Sequence, residues 1–179
     1  MKKLLISVCS LALALGSLAW ADKWDPDEVE KLKPKAEEAK GLLVEKHPDA
    51  AEHFANAPGY VIIPTVGKGG IGIGGARGTG LLFEGGSPTA VVTLTQLTIG
   101  LQWGGQAYSE FVFFKDQLAL DDFKRGNFEL GAQASAVAWT AGVSADLDYN
   151  GGVAIVTQDK GGLMYEASVG GQKFKLETP

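Results

Sequence analysis

The chain has 179 residues, with 16 basic and 21 acidic side chains and a formal net charge of -5 at pH 7. This length favours one domain, and the negative charge gives no overall attraction to nucleic acid, so no nucleic-acid partner is expected. The single cysteine excludes a disulfide framework, so the fold must depend on a hydrophobic core.

The first 21 residues have the pattern of a secretory signal peptide. Two lysines precede the apolar run Leu4–Leu18, and the small-x-small cleavage pattern Ala19-Trp20-Ala21 follows it. The run is too short to be a membrane-spanning helix with flanks. The pattern predicts an exported, periplasmic protein whose mature chain begins at Asp22.

Residues 22–58 are predicted to be helical. Asp25 suits an N-cap and Pro26 the first helical position, while Pro34 predicts a kink or a split. A second, shorter helix is expected from His47-Pro48-Asp49 to about Ala55. The charged faces of the first helix are balanced, which favours packing on its own domain over a membrane-surface role. The stripe that would pack recurs at helical spacing: Val29, Leu32, Ala36, Ala39 and Leu43.

Residues 59–179 are predicted to form a glycine-rich β-domain, since 23 of the 25 glycines lie there. One short helix, Asp116–Lys124, interrupts the strands. Successive strands joined by tight turns predict an α+β fold, with N-terminal helices before an antiparallel β-barrel or sandwich. The expected strands are Tyr60–Ile63, Gly70–Phe83 (one strand or a pair), Thr89–Trp103, Gln106–Phe114, Phe128–Asp146, Val153–Thr157, Leu163–Val169 and Gln172–Leu176.

The stretch Gly67–Gly80 contains eight glycines, and its first residues formally match the dinucleotide fingerprint G-x-G-x-x-G. That fingerprint requires a helix to follow, but Ile71-Gly72-Ile73-Gly74-Gly75 is a poor helix former. A β-segment whose glycines let backbones bend and approach closely is therefore favoured over a nucleotide loop.

Other catalytic and metal-binding patterns are incomplete. The segment Asp146-x-Asp148-x-Asn150-Gly151 matches the first half of an EF-hand loop, but Thr157 occupies the twelfth position, where a glutamate is needed. A polar hairpin turn is therefore favoured over a calcium site. His47 and His53 are six residues apart, so they do not form an i, i+4 metal pair, and no G-x-S-x-G elbow is present. We expect no enzymatic activity, metal or cofactor.

Basic residues at turns, strand ends and a helix C-terminus provide a different possibility. If several converge on one rim, they form a local anion-binding patch on an acidic protein, and the alternative is a scattered, solvated surface. These residues are Lys68, Arg77, Lys124, Arg125, Lys160, Lys173 and Lys175.

Four long segments resemble the SYLF domain, a family related to fungal actin-regulating, Las17-binding-type proteins. They are GYVIIPTVGKGGIGIGGARGTG, LTQLTIGLQWGGQAYSEFVFF, FKRGNFELGAQASAVAWTAG and KGGLMYEASVGGQKF, and the resemblance covers about Glu37–Leu176. The resemblance implies a lipid-binding β-domain, here in an exported bacterial member. It implies that basic residues at the motif positions bind phospholipid: Lys68, Lys124, Arg125 and Lys160.

The sequence thus predicts a non-catalytic phospholipid-binding module, peripheral to a membrane surface, with turn-borne lysine and arginine docking on head groups. The alternative is an envelope structural or protein-interaction module, including a homo-oligomer, with no lipid role. The small-residue segment Ala132–Ala145 motivates this alternative, because tightly packed strand surfaces also serve protein contacts.

Overall fold

The computed structural model describes residues 24–100, 105–126, 128–129, 137–138, 147, 149–160 and 171–179. The described helices are α1 (Pro26–Lys46), α2 (Ala50–Asn56) and α3 (Gln117–Lys124). The described strands are β1 (Gly59–Glu84), β2 (Ser87–Gly100), β3 (Gly105–Phe114), β4 (Phe128–Glu129), β5 (Val137–Ala138), β6 (Val153–Asp159) and β7 (Gln172–Glu177). The predicted signal peptide, the predicted strand Leu163–Val169 and most of Ala132–Ala145 lie outside these residues.

The described strands form one seven-stranded sheet in the order β4-β7-β2-β1-β3-β6-β5. Its pairs are antiparallel except β5 with β6, which are parallel. The predicted α+β class and the inserted helix are confirmed. The barrel alternative is wrong for the part of the chain described, because the sheet there is not closed and β4 and β5 lie at its two edges.

Strand β1 is one long strand, although the sequence predicted two or more separate segments. Its first half pairs with β3 and its second half pairs with β2. The register with β3 shifts between Ile63 and Val66, at Pro64, which has no N–H to donate to the ladder. The hydroxyl of Ser109 on β3 donates to the Pro64 carbonyl (2.9 Å) and closes this bulge.

Two glycines let β1 fold back over itself. A Cβ on Gly80 would collide with the Ile62 carbonyl oxygen and lie 2.7 Å from the Ile63 Cα, and a Cβ on Gly78 would lie 2.9 Å from the Thr65 carbonyl oxygen. No side chain fits at such distances, so the two halves of β1 pack backbone against backbone. The prediction that glycines in Gly67–Gly80 let backbones bend and approach closely is confirmed.

Helices α1 and α2 cover one face of the sheet. Part of the predicted stripe of α1 packs there, with Ala36, Ala39 and Leu43 buried. This packing also holds the helix together across Pro34, so α1 is not split there as the sequence allowed. Among the described helices, none is both long and apolar enough to cross a membrane.

Helix α3 covers the opposite face. Its N-cap is Asp116, whose carboxylate accepts from the Ala119 N–H (2.9 Å), and Gly126 follows its end with φ +81°. Leu120 and Phe123 are buried against strand residues such as Phe114. Both faces of the sheet are therefore buried near the helices, which explains the continuous apolar run Tyr60–Ile63.

Candidate functional site

Two of the four predicted lipid-binding residues, Lys124 and Arg125, lie at the C-terminus of α3. The Lys124 ammonium contacts both carboxylate oxygens of Glu84, at 2.9 and 3.0 Å. Burial acts to raise the Glu84 pKa, but hydrogen bonds from Lys124 and Thr89 outweigh it, so the pKa is lowered. Arg125 forms an ion pair with Asp122 (2.9 Å). Both predicted residues thus already contact carboxylates of the chain.

The other two predicted residues, Lys68 and Lys160, lie beside the beginning of β3. Lys68 is opposite Gln106, and the Lys160 N–H donates to the Ala107 carbonyl (3.1 Å). The Lys160 ammonium donates to the Thr65 hydroxyl (3.0 Å). Burial lowers the pKa of Lys68. Lys68 and Lys160 therefore lie at the same end of the sheet, on opposite faces.

The four predicted residues do not form one patch. Helix α3 follows the last residue of β3, whereas Lys68 and Lys160 lie beside its first residues. Seven residues of extended strand separate these places, which is roughly 20 Å. Lys160 instead shares a surface cavity of about 460 Å³ with Lys46 and Leu42 of α1.

Three other basic residues do come together, on the outer surface of β1, β2 and β7. Arg77 on β1 pairs with Thr95 on β2, which pairs with Lys173 on β7, so the three lie in one row across the sheet. Lys175 is two residues further along β7 and therefore on the same face. All three cations are exposed. Neighbouring strands are about 4.8 Å apart, so Arg77 and Lys173 have Cα atoms roughly 10 Å apart.

An exposed apolar side chain and a cavity adjoin this row. Leu97 is 83% exposed and follows Thr95 by two positions on the same face of β2. A cavity of about 490 Å³ lies beside it, bounded by Ala76, Thr95, Gln96, Leu97, Gly171 and Lys173. We call the surface formed by Arg77, Thr95, Leu97, Lys173 and Lys175 the basic face.

The basic face is not purely cationic. Glu177 follows Lys175 by two positions on β7. Three cations and this carboxylate still leave the surface positive on a protein whose net charge is negative. An anion therefore meets locally favourable charge there, although the whole protein repels it.

Inside the curled sheet, five polar side chains share one buried face. They come from four strands, and the two that share a strand are two positions apart. We call these residues the interior polar cluster: Gln96 on β2, Tyr108 and Glu110 on β3, Thr157 on β6 and Gln172 on β7. Their relative exposures are between 0 and 3%. Such burial of polar groups is unusual without a structural or functional reason.

The geometry of the cluster joins opposite parts of the sheet. The Gln172 amide donates to Glu110 Oε2 (3.0 Å), Glu110 lies directly opposite Thr157, and Gln172 lies opposite Gln96. Burial raises the pKa of Glu110 to about 8, although the Gln172 hydrogen bond acts against this. Burial, followed by the Glu110 charge, raises the pKa of Tyr108. Glu110 therefore holds its proton at neutral pH.

The sequence analysis did not identify this cluster. The sequence pattern that indicates it is the alternation of side chains along β3. Tyr108, Glu110, Val112 and Phe114 share a face there, so the Glu110 carboxyl lies among aromatic and aliphatic residues. A carboxyl at an inward-facing strand position is the pattern that could have marked it.

No metal site is formed by the described residues, since none of them are grouped as three or more His, Cys, Asp or Glu side chains. The EF-hand-like residues Asp146 and Asp148 lie outside the described part. Asn150, Gly151 and Gly152 form a tight turn, with an Asn150–Val153 bridge and both glycines at positive φ. Strand β6 follows directly, so the second flanking helix of an EF-hand is not there.

Residues 95–177 match the model of a protein family described as Ysc84, Las17-binding protein actin regulator. This part of the chain is similar to the Ysc84 family. The SYLF resemblance is therefore confirmed, over a shorter stretch than the sequence segments covered. A similar protein is beta cell expansion factor A of Aeromonas veronii, 28% identical over 74 residues. That match covers 41% of this chain and only 28% of the relative's length.

The Ysc84 segment contains most of the surfaces described above. All five residues of the interior polar cluster fall within it, as do Thr95, Leu97, Lys173 and Lys175 of the basic face. Arg77 and the predicted residue Lys68 precede it. The Ysc84 segment thus also contains Gln96 on β2 and Gly171 beside β7, which form part of the wall of the 490 Å³ cavity.

Proposed function

We propose that this protein is an exported, non-catalytic module that binds phospholipid membrane surfaces through its basic face. The similarity of residues 95–177 to the Ysc84 family supports a lipid-binding or actin-regulator-related role. The observation that carries the proposal is the row formed by Arg77 on β1 and Lys173 on β7, on either side of Thr95 on β2, with Lys175 and the exposed Leu97 beside it.

The mechanism combines charge and apolar contact. Each lysine or arginine near an anionic membrane contributes about 1 kcal/mol, and this attraction weakens as salt is added. Leu97 is placed to enter the boundary between head groups and acyl chains, and burying such a side chain is worth about 1.5 kcal/mol or more. Neither contribution requires a catalytic group, which agrees with the absence of a catalytic motif in the sequence.

Neutralising the two lysines that β7 contributes to the basic face should weaken membrane binding. We expect Lys173→Gln/Lys175→Gln to bind vesicles containing phosphatidylglycerol about thirtyfold more weakly, since two charges are worth about 2 kcal/mol. Co-sedimentation at low ionic strength, over a lipid titration, measures this. Both side chains are exposed, so the fold should be unaffected.

Two matched double variants provide the controls, since each removes the same charge. Lys124→Gln/Arg125→Gln acts at the C-terminus of α3, and Lys68→Gln/Lys160→Gln acts at the residues that the family resemblance implies. We expect both to bind within about threefold of the wild type. If either control variant lost most of its vesicle binding while Lys173→Gln/Lys175→Gln lost none, the lipid site would lie outside the basic face. A wild-type protein that does not sediment with vesicles at low salt would remove the lipid function.

The protein-interaction alternative predicts a different result. An envelope interaction module would form cross-linked oligomers or complexes whose yield is indifferent to vesicles, and Lys173→Gln/Lys175→Gln would leave lipid association unchanged.

A further inference from the structure

The interior polar cluster contains oxygens that the protein leaves without partners. Among the described residues, no hydrogen bond reaches Glu110 Oε1, Gln172 Oε1 or the Thr157 hydroxyl. A buried polar atom without a partner is destabilising, and several on one buried face call for a ligand or water that satisfies them.

The chemistry of these atoms selects the ligand. All three are oxygens, and one of them belongs to the Glu110 carboxyl, whose pKa is affected by burial and by Gln172 but by no cation of the described residues. Tyr108 is the other titratable group of the cluster and lies two positions away on β3, while β6 and β7 present Thr157 and Gln172. The cluster therefore offers acceptors and, once Glu110 ionises, one negative charge, and its five residues include no positively charged donor.

A primary ammonium group complements this arrangement. It carries one positive charge, which balances the ionised Glu110 carboxylate, and three N–H donors, which can bond to that carboxylate and to neighbouring oxygens. A buried ion pair is stable only when both its charges and its hydrogen bonds are satisfied in this way. An anion would be repelled by the ionised Glu110 carboxylate, and a quaternary ammonium has no N–H to donate to the oxygens. A divalent metal ion would leave an unbalanced positive charge in the interior.

The cluster adjoins a surface cavity. Gln96 forms part of the wall of the 490 Å³ cavity and lies directly opposite Gln172, whose amide bonds to Glu110. Gln96 and Gln172 thus connect the cavity wall to the carboxyl. Lys173 lies at the same cavity and is suited to a phosphate carried by the same ligand.

We propose that the interior polar cluster, reached through this cavity, binds a primary ammonium group, carried by a free small amine or by an aminophospholipid head group. This site adjoins the basic face at Lys173, but it does not depend on the membrane-binding function proposed above. Binding ionises Glu110, so the ammonium takes the place of the proton that the carboxyl otherwise holds.

The exchange of a proton for an ammonium makes binding pH-dependent. Glu110 is protonated below a pH of about 8, whereas a primary amine stays charged to about pH 10. The apparent affinity for the amine should therefore rise by up to about tenfold per pH unit between pH 6 and 8.

Thermal unfolding with ethanolamine, in amine-free phosphate buffer at pH 6.5 and 8, tests the proposal. We expect 50 mM ethanolamine to raise the Tm of the wild type, and more so at pH 8, while choline at equal ionic strength does not. Glu110→Gln should abolish the increase. Thr157→Val, which removes one acceptor and no charge, should reduce it. Glu38→Gln, which neutralises an exposed carboxylate on α1, should retain it.

Three results would overturn the proposal: no increase in Tm with ethanolamine, an equal increase with choline, or an increase that persists in Glu110→Gln. Vesicles then identify the source of the amine. Tighter binding to phosphatidylethanolamine than to phosphatidylcholine vesicles, lost in Glu110→Gln, assigns the site to a lipid head group. An ethanolamine effect without that preference assigns it to a free amine. Loss of binding to phosphatidylglycerol vesicles by the basic-face variant would affect neither result.

Discussion

Replacing Gly80 with valine is expected to prevent folding or to lower the free energy of unfolding by more than about 4 kcal/mol. The added Cβ would collide with the Ile62 carbonyl oxygen and lie 2.7 Å from the Ile63 Cα, so backbone rather than a movable side chain opposes it. Relief requires the two halves of β1 to separate, which disrupts the core between them. Urea unfolding followed by far-UV circular dichroism measures the effect.

Gly67→Val is the matched control, in the same strand and with the same change in volume. A Cβ there meets nothing within 4 Å, and valine suits an extended backbone. We expect a change of less than about 1 kcal/mol in the free energy of unfolding. If Gly80→Val unfolded at the same urea concentration as Gly67→Val, the close approach within β1 would be refuted.

The contrast between these glycines shows what the sequence could and could not predict. The composition of Gly67–Gly80 correctly indicated a bent, closely packed β-segment, because so many glycines exclude a helix. It could not show which glycines are indispensable. That depends on Ile62 and Ile63, which lie some eighteen residues earlier in the chain and are brought against Gly80 only when β1 folds back.

The basic residues illustrate a second limit. The sequence showed that cations lie at turns and strand ends, but their convergence depends on strand register. Arg77 and Lys173 are distant in the chain and become neighbours because both flank Thr95. Lys124 was a reasonable prediction from the family resemblance, but its contact with Glu84 comes from the docking of α3 near the β1–β2 turn.

The interior polar cluster illustrates a third limit. Phe111 and Phe113 of β3 pack beneath α2, and Tyr108 and Glu110 alternate with them on the opposite face of the same strand. Even with Glu110 placed inward, its partner Gln172 could not be inferred. The two strands that carry them are separated in the sheet by β1 and β2, and only the curl of the sheet brings the side chains together.

The free energy of unfolding of the wild type should decrease as the pH rises from 5 to 8.5, relative to that of Glu110→Gln. In the folded protein burial raises the pKa of Glu110 from 4.5 to about 8, whereas in the unfolded chain it stays near 4.5. Between these values the folded state holds a proton that the unfolded state has released, so rising pH favours unfolding. The stabilisation is complete below pH 4.5 and is lost by about pH 8, and its size is about 5 kcal/mol.

Urea titrations of both proteins at several pH values, in amine-free buffer, measure this difference. Glutamine has nearly the shape of glutamic acid and cannot ionise, so Glu110→Gln keeps the Gln172 contact and removes only the proton equilibrium. We therefore expect the two proteins to have similar stability at pH 5 and the variant to be the more stable at pH 8.5. Curves that stay parallel over this range would mean that Glu110 titrates normally, and hence that water reaches the interior polar cluster in the folded protein.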